Sequence, residues 1–517
     1  MPTTSAAERR RGGRARVVGL LAAATVAVTS IIATPARAEV ADPPPSVCER
    51  RVNDTVQALL ACVTLAGVRE HQAELQAIAD QYGGTRAVGT KGFRASVDYV
   101  LDQLEEAGYT PEVQAFPFEQ VTDLSDFQLT QPQQEDFDPY EDFLAAEFSP
   151  ETTAQGELQA VDLVLPPTPE PSSTSGCEMS DFEGFEAGNI ALIQRGTCTF
   201  ALKAKNAQRA GAAGVVLFNE GQVGRTDVLA PSGTAERLTI PVIFTTFAIG
   251  ERLAGTEGAV VRIAVDLLFE TKTAWNVLAE LQGTDDQVVM VGGHLDSVPE
   301  GPGINDNGSG SAAILETAIM MANVTPTHTV RFAWWGAEEL GLVGSTYYVE
   351  HLPAEELARI ALYMNYDMIG SPNYVRFVYD GDGDSFGTPG PDGSDEIEDV
   401  YHRWYDRQGL ASEDTEFSGR SDYGPFIAAG IPAGGLFTGA EVPKTEEQEA
   451  IYGGEAGIPY DPCYHQACDD YDNVDLEVLR QNSDLVAFAA LYWAQKADLP
   501  GGGDPTPTTL DGHRPTA

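Results

Sequence analysis

Apolar and polar positions follow two different periods along this chain, and each period predicts a different kind of element. Four short apolar runs have the length and composition of buried strands. They are residues 287–291, 329–335, 360–366 and 432–437. Segments with helical periodicity, such as residues 310–322 and 474–494, lie between or after these runs. This alternation predicts an α/β fold with a doubly wound, mixed but mostly parallel sheet and helices on both faces.

An earlier part of the chain has its own pattern. Residues 54–108 show helical periodicity, and Gly108 is placed to end the last helix as its C-cap. Residues 109–117 predict a strand, and the composition changes near residue 122. A compact α/β insert is expected from there to about residue 265. Its predicted elements are a strand at residues 189–193, a helix at residues 200–210 and a strand at residues 214–218.

Length and charge limit the classes of protein to which the chain can belong. It has 517 residues, 43% of them apolar, which suffices for two globular domains with substantial cores. Its formal net charge of −47 repels nucleic acid and anionic membranes, so neither is expected as a partner. Such a surface is also typical of a solvated acidic coat that has no specific partner.

The N-terminus has the pattern of an export signal. Five arginines between residues 9 and 16 precede an apolar segment at residues 17–32 and the small-x-small sequence of residues 36–38. We therefore expect residues 1–38 to be cleaved and the product to be secreted, with no membrane association afterwards. The alternative is a retained membrane anchor, which the shortness of the apolar segment disfavours.

Six cysteines in an exported chain predict three disulfides. Six cysteines allow many pairings, and only their order in the sequence suggests local pairs. The suggested pairs are Cys48–Cys62, Cys177–Cys198 and Cys463–Cys468. No C-x-x-C spacing occurs, which disfavours a zinc-thiolate site.

Candidate catalytic residues follow the predicted strands, where ligands bind in open α/β sheets. They are His294, Asp306 in a glycine-rich loop before a helix, the pair Glu338 and Glu339, Asp367, and His465 in a late loop. Two histidines and three carboxylates suit zinc, and two metal ions can share a bridging carboxylate and a bridging water. The adjacent Glu-Glu pair can provide one ligand and one general base. Each residue alone is more typical of a structural or solvated position, but their joint occurrence predicts a metal site.

Six motifs that contain or adjoin these residues resemble those of one enzyme family. They are, in chain order, GGHLDS, GINDNGSG, WWGAEELGLVGS, NYDMIG, GRSDYGPF and CYHQACD. Together they resemble the co-catalytic zinc aminopeptidases of metallopeptidase family 28, above all the secreted bacterial leucyl-type enzymes, over residues 65–120 and 270–495. The insert sequence IALIQRGTCTFALKAKNAQRAGAAGVVLFNE resembles a protease-associated domain. The resemblance implies the zinc exopeptidase fold with this domain inserted.

The resemblance implies a metal centre with two zinc ions. Asp306 would bridge both ions. His294 and Asp367 would complete the ligands of one zinc, and Glu339 and His465 those of the other.

The resemblance also implies roles for residues around the metals. Glu338 is implied as the general base that acts through a zinc-bridging hydroxide, and Tyr464 as the hydrogen-bond donor to the oxyanion. Arg420 and Asp367 would contact the bound peptide end. Asp296, two residues after His294, would orient that imidazole.

A division of the chain and a function follow from the same resemblance. The division is a signal peptide (1–38), an N-terminal part of the peptidase domain (39–125), a protease-associated insert (126–267), a zinc peptidase catalytic domain (268–498) and a disordered tail (499–517). The expected function is a secreted, extracellular, monomeric aminopeptidase that acts on peptides with large apolar N-terminal residues. The alternatives are a zinc carboxypeptidase of the same fold, a non-enzymatic binding or receptor relative, and a zinc cyclase, whose relatives commonly carry Asp where Glu339 stands.

An acidic run lies outside these motifs. Asp380, Asp382 and Asp384 form a D-x-D-x-D pattern that is typical of calcium loops, but the twelfth position of an EF-hand-like loop is Pro391 instead of Glu. We therefore expect a plain acidic loop, with Ca²⁺ binding as the alternative.

Overall fold

A computed structural model of the chain describes residues 45–169, 171–222, 225–229 and 237–500. The predicted signal peptide and residues 501–517 of the predicted tail lie outside the described residues. Within the described ranges, no helix is long and apolar enough to cross a membrane.

The described ranges begin with four helices, continue with five strands and then mix the two kinds of element. The α-helices are α1 (Pro45–Cys48), α2 (Val56–Leu60), α3 (Leu65–Gln81), α4 (Lys91–Ala107), α5 (Phe200–Ala210), α6 (Phe247–Ala254), α7 (Gly308–Met321), α8 (Val343–His351), α9 (Ala354–Leu357), α10 (Ser394–Gln408), α11 (Tyr423–Ala428), α12 (Glu446–Tyr452) and α13 (Leu476–Gln495), with a 3₁₀ helix at Met179–Phe182. The strands are β1 (Glu112–Asp123), β2 (Asp126–Gln131), β3 (Glu135–Phe137), β4 (Phe143–Ala145), β5 (Thr153–Val161), β6 (Ile190–Gln194), β7 (Gly214–Phe218), β8 (Val242–Thr245), β9 (Val260–Ala264), β10 (Leu267–Leu281), β11 (Val288–His294), β12 (Thr329–Trp335), β13 (Ile360–Tyr366), β14 (Phe377–Tyr379), β15 (Glu413–Thr415) and β16 (Ala433–Phe437).

The first sheet has the strand order β1-β10-β12-β11-β13-β16-β14-β15. Its centre is parallel, because β11 pairs in parallel with β12 and β13, and β13 with β16. Strands β1 and β10 form an antiparallel edge on one side, and β14 is antiparallel to β16 on the other. The predicted α/β fold with a doubly wound, mixed but mostly parallel sheet is confirmed.

Alternate residues of the central strands face two different cores. Val289 and Val291 of β11 belong to the core under helices α3, α4, α7 and α13, whereas Val288 and Met290 belong to the core under α8 and α11. All four side chains are fully buried. Each such side chain stabilises the fold by about 1.5–3 kcal/mol relative to an exposed position. The strands are therefore continuous apolar runs, as expected for a sheet that is covered on both faces.

The observed bounds agree best with the predicted ones in elements whose limits depend on the short-range sequence pattern. Strands β12, β13 and β7 and helix α5 have the predicted bounds. Strand β11 continues three residues beyond the predicted run, through Gly292 and Gly293 to His294. Glycine weakens a strand in general, but here a Cβ atom at Gly293 would lie 2.4 Å from the carbonyl oxygen of Tyr366. The close approach of the neighbouring backbone thus requires glycine and extends the strand to the histidine.

A second sheet lies between β1 and β10 in the sequence. Its strand order is β3-β2-β9-β5-β6-β7-β8-β4, with β5, β6, β7 and β8 parallel. It extends from Asp126 in β2 to Ala264 in β9 and has its own cores on both faces.

Strands β1 and β10 connect the two sheets as a long antiparallel ribbon. Their pairing runs from Glu112 opposite Leu278 to Asp123 opposite Leu267. The strand predicted at residues 109–117 therefore begins later and extends further than the sequence indicates. Tyr109 lies before the strand, where its hydroxyl donates to the carbonyl oxygen of Ala318 at 2.7 Å.

The three suggested disulfides are confirmed. The structure contains Cys48–Cys62, Cys177–Cys198 and Cys463–Cys468, and the described residues include no free cysteine. Each pair joins residues that are near in sequence, so each bond stabilises one local loop.

Candidate metal centre

The five candidate ligands meet at the carboxyl ends of the parallel strands. His294 is the last residue of β11, and Asp367 directly follows β13. Glu339 lies four residues after the end of β12, and Asp306 lies two residues before α7. His465 comes from the loop between α12 and α13. This edge of an open α/β sheet is where ligands bind in such folds.

Asp306 lies at the centre of the cluster. Its Oδ1 is 3.2 Å from Nε2 of His294, and its Oδ2 is 3.3 Å from Nε2 of His465. Nε2 of His294 is also 3.2 Å from Oδ1 of Asp367, and Nε2 of His465 is 3.0 Å from Oε2 of Glu339. Each oxygen of Asp306 therefore belongs to a different group of three ligand atoms.

These distances fit two metal ions. Ligands bound to a tetrahedral zinc at about 2.0 Å lie about 3.3 Å apart, which is close to the four separations above. Oε1 of Glu339 is buried and has no hydrogen-bond partner among the described residues. A buried carboxylate oxygen without a donor is unfavourable unless a cation lies beside it. Imidazole nitrogens and carboxylate oxygens are also ligands that zinc accepts.

The electrostatics of the cluster favour a cation as well. Burial alone would lower the pKa of His465, but Glu339 and Asp306 raise it to about 11. Burial and the carboxylate of Asp306 raise the pKa of Glu339 to about 7, although His465 opposes this. Both shifts favour the protonated form, so His465 and Glu339 bind positive charge, here as protons, more strongly than the isolated groups do. Metal ions compete with protons for such ligands.

Three of the seven non-glycine residues that have a positive φ in the described ranges lie at this site. Ala337, Met368 and His465 have φ angles of 59°, 50° and 55°, in the left-handed region that non-glycine residues rarely adopt. Ala337 precedes the Glu338–Glu339 pair, and Met368 follows Asp367. Such strain persists where the surrounding structure imposes it, and it is frequent at functional sites.

Comparison with known proteins agrees with this geometry. A model described as Peptidase family M28 matches residues 276–490, and a model described as PA domain matches residues 159–253. The aminopeptidase of Pseudomonas aeruginosa (strain UCBPP-PA14) is 46% identical over 456 residues, which are 87% of this chain and 85% of that protein. The chain belongs to peptidase family M28.

Two further proteins are similar to this M28 peptidase. Leucine aminopeptidase 2 of Trichophyton equinum is 42% identical over 355 residues, 64% of this chain and 71% of that protein. The structure of BSAP, a zinc aminopeptidase from Bacillus subtilis, matches with a TM-score of 0.63 and 27% identity over 84% of this chain and 96% of that one. The M28 peptidase described here is accordingly a metallo-aminopeptidase with a PA domain.

Glu338 lies beside the candidate ligands of this M28 peptidase and is mostly buried. Its Oε2 is 4.0 Å from Nε2 of His294, and its backbone amide donates to Oδ1 of Asp296 at 3.3 Å. Burial raises its pKa well above the usual value, and the carboxylates of Asp367 and Glu339 add to this effect while His294 opposes it. Glu338 thus has the surroundings of a proton acceptor.

The imidazole of His294 lies beside two acceptor groups of Asp296. Nδ1 lies 3.1 Å from the backbone carbonyl oxygen of Asp296 and 3.7 Å from its carboxylate Oδ1. The carbonyl is the nearer of the two acceptors, and the carboxylate Oδ1 also accepts the backbone amide of Glu338. The orientation of the imidazole by Asp296 stays a prediction.

A small cavity of about 90 Å³ opens beside the ligands. Arg420 and Tyr464 line it, and Nη2 of Arg420 donates to the Tyr464 hydroxyl at 3.3 Å. Nη1 of Arg420 pairs with Oε1 of Glu441 at 2.9 Å. Burial, with Asp306 and Glu339 nearby, raises the pKa of Tyr464 well above its usual value. Its hydroxyl therefore keeps its proton and can donate a hydrogen bond at neutral pH.

Sequence reasoning missed Ser421, which holds a candidate ligand. Its hydroxyl donates to Oδ2 of Asp367 at 2.6 Å and accepts from the amide of Asn365 at 2.8 Å. The motif GRSDYGPF contains Ser421, beside the Arg420 that was identified. Its position next to that residue was the available signal.

The acidic run forms a separate loop of the M28 peptidase. Asp380, Asp382 and Asp384 each place one carboxylate oxygen within 4.8 Å of the others. Asp380 accepts the backbone amides of Gly383 and Phe386, both at 2.8 Å. These bonds account for the buried carboxylate without an ion. The plain acidic loop stays the prediction, with calcium binding as its alternative.

The disulfide Cys463–Cys468 closes a loop of four residues that includes Tyr464 and His465. Replacing both cysteines with serine is expected to lower activity about tenfold or more, because a ligand that is less well oriented binds metal more weakly. The measurement is kcat/KM on a chromogenic aminoacyl amide at limiting and at excess zinc.

The matched control is the same double substitution of Cys177 and Cys198 in the second sheet's domain. That variant should retain activity, since its disulfide holds no part of the metal centre. Equal losses in both variants, or none in either, would show that the Cys463–Cys468 bond does not position His465.

Proposed function

We propose that this chain is a secreted, co-catalytic two-zinc aminopeptidase that removes N-terminal residues, preferably large and apolar ones such as leucine, from peptides. One observation carries the proposal. The two oxygens of Asp306 face two different imidazoles, each with a second carboxylate at ligand distance.

The ligand assignment follows from these groups. His294, Asp367 and Asp306 would hold one zinc, and His465, Glu339 and Asp306 the other. When bound, the zinc ions would polarise the scissile carbonyl and lower the pKa of water at the site. The zinc aminopeptidase from Bacillus subtilis, with its similar fold, supports zinc as the metal.

Glu338 is the carboxylate that remains after the ligands are assigned. Its burial and its position beside His294 suit a group that takes the proton of the attacking water and returns it to the leaving amine. Tyr464 keeps its hydroxyl proton and would donate it in a hydrogen bond to the oxyanion.

The charges around the cavity favour a free amine over a free carboxylate. Five carboxylates line it, those of Asp306, Glu338, Glu339, Asp367 and Glu416, and two of these, Glu338 and Glu416, are not assigned to a zinc ion. Arg420 is the cation that a carboxypeptidase would need for a C-terminal carboxylate, but Glu441 already pairs with it. An α-ammonium group therefore suits this cavity better.

Apolar residues next to the site support the preference for large apolar residues. Met368, Phe437 and Tyr379 line the same cavity. Their apolar surface would accept an aliphatic side chain. The likeness to leucine aminopeptidase 2 of Trichophyton equinum agrees with this substrate class.

The proposed location and assembly rest on other features. The N-terminal signal pattern and the three disulfides are typical of exported proteins. The net charge of −47 favours a monomer through mutual repulsion.

An activity panel tests the proposal. Leucyl p-nitroanilide should be hydrolysed, N-acetyl-leucyl p-nitroanilide should not, and a peptide with C-terminal glutamate should lose no glutamate. A chelator should abolish the activity and added zinc should restore it, with two zinc ions per purified chain. Hydrolysis of the acetylated substrate, or activity that survives chelation, would contradict the proposed function.

A further inference from the structure

Arg86 is a fully buried cation that lies inside the loop between His294 and Asp306. Its Nε donates to the carbonyl oxygen of Pro302 at 2.8 Å, its Nη2 to that of Gly303 at 2.7 Å and its Nη1 to that of Leu295. The guanidinium thus connects the chain just after the first ligand with the chain just before the bridging one.

The loop is closely packed around this side chain. The backbone amide of Arg86 donates to the Ser297 hydroxyl at 3.0 Å. Gly303 has a φ of +63°, and a Cβ atom there would lie 2.3 Å from the carbonyl oxygen of Asp306 and 3.2 Å from Nη2 of Arg86. No larger residue fits at Gly303 without displacing the loop. Within the described residues, no carboxylate forms an ion pair with Arg86, so its partners are backbone carbonyls.

Asp469 holds the same segment from the opposite side. Its Oδ1 accepts the backbone amide of Asn305 at 2.8 Å, and its Oδ2 accepts that of Asp306 at 2.9 Å. It directly follows Cys468, so it belongs to the loop that carries His465. Asp469 is 2% exposed, so the two carboxylate oxygens that accept these amides are well shielded from water.

We propose that Arg86 and Asp469 are positioning residues that hold the Asp306 loop in the conformation that binds zinc, and that they set the zinc affinity of the centre. This inference rests on the proposed function, because it takes the five ligands to be zinc ligands. Arg86 binds the carbonyls of the loop and Asp469 its amides. Together they connect the segment before the insert, the Asp306 loop and the His465 loop.

The physical reason is the loss of pre-organisation when either partner is removed. A lysine at position 86 keeps the charge but lacks the planar set of donors that reaches three carbonyls at once. An asparagine at position 469 can accept from one amide, but its own amide group then faces a second donor. Partners that orient metal ligands typically change metal affinity or activity by about 10–100-fold.

The test uses Arg86→Lys and Asp469→Asn in the full chain, each with a matched control. Arg331→Lys changes another buried arginine, which pairs with Glu280 and Tyr348 far from the ligands. Asp380→Asn changes another buried aspartate that accepts two backbone amides. Zinc affinity is measured by competition with a chromogenic chelator, and the melting temperature and the hydrogen exchange of residues 295–306 are measured in excess chelator.

The two site variants should bind zinc about 10–100-fold more weakly and exchange the 295–306 amides faster than wild type. The controls should keep wild-type zinc affinity even where their melting temperatures fall as much. Excess zinc should restore much of kcat in the site variants, because positioning and not chemistry is impaired.

Zinc affinity within about twofold of wild type in both site variants would overturn the proposal, and so would unchanged exchange of the loop. If Arg86→Lys is not recovered as folded protein, Asp469→Asn decides by the same criteria. A wild-type chain without chelator-sensitive activity would contradict the proposed function separately, since the exchange comparison requires no zinc.

Discussion

Glu338→Gln is expected to lower kcat about 10³-fold while both zinc ions stay bound. The substitution keeps the size of the side chain but removes the group that we propose as the acceptor of the proton of the attacking water, and general base catalysis contributes about 10²–10⁴-fold. Glu338 is buried beside His294, and the proposed ligand assignment does not include it, so the metals should not be lost. Steady-state kinetics on leucyl p-nitroanilide and zinc analysis of the same sample provide the measurement.

A substitution at the neighbouring Glu339 should have a different effect on zinc content. Glu339→Gln should lose zinc, since Oε2 of Glu339 lies at ligand distance from His465, and added zinc should partly restore its activity. Glu350→Gln removes an exposed carboxylate from helix α8 and should behave as wild type. Turnover near the wild-type value in Glu338→Gln would exclude Glu338 as the base. Loss of zinc from that variant would make it a ligand instead.

Several candidate ligands could be chosen from the sequence because they follow a local signal. The apolar run at residues 360–366 ends directly before Asp367, and the run at residues 329–335 ends just before the Glu338–Glu339 pair. In a parallel sheet such ends converge on one edge. These short apolar runs therefore suffice to predict that residues far apart in the chain lie close together.

The long ribbon of β1 and β10 could not be predicted in the same way. Asp123 pairs with Leu267 across the whole insert, and neither strand has an apolar run along its full length. The pairing depends on the return of the chain to the first sheet, which no local pattern encodes. Bounds that depend on a distant partner were accordingly missed, as at residues 109–111.

Supporting residues escaped detection for a related reason. The guanidinium of Arg86 binds backbone carbonyls, and the carboxylate of Asp469 binds backbone amides. Backbone carbonyls and amides occur in residues of almost every type. The sequence therefore does not show which residues these two side chains bind. The contact between Asp296 and His294 is similar, because the backbone carbonyl oxygen of Asp296 lies nearer to Nδ1 of His294 than its carboxylate does.

Asp306→Asn is expected to have an even larger effect, with a fall in kcat/KM of more than about 10³-fold and the loss of zinc from both sites. Asp306 supplies one oxygen to each ligand group, at 3.2 Å from His294 and 3.3 Å from His465. Asparagine keeps one oxygen and replaces the other by an amide nitrogen that does not bind zinc. Loss of several kcal/mol of charge stabilisation at the reacting carbonyl corresponds to about 10³-fold or more in rate.

Asp367→Asn distinguishes a shared ligand from an ordinary one. Of the two imidazoles, only that of His294 lies beside Asp367. The substitution should therefore weaken the binding of one zinc ion and leave the other in place. Zinc analysis should therefore give close to one ion per chain for Asp367→Asn and fewer for Asp306→Asn at the same free zinc concentration. Equal zinc content in the two variants would mean that Asp306 serves a single ion. The symmetric placement of its two oxygens would then be an ion pair with two histidines and not a bridge between two metals.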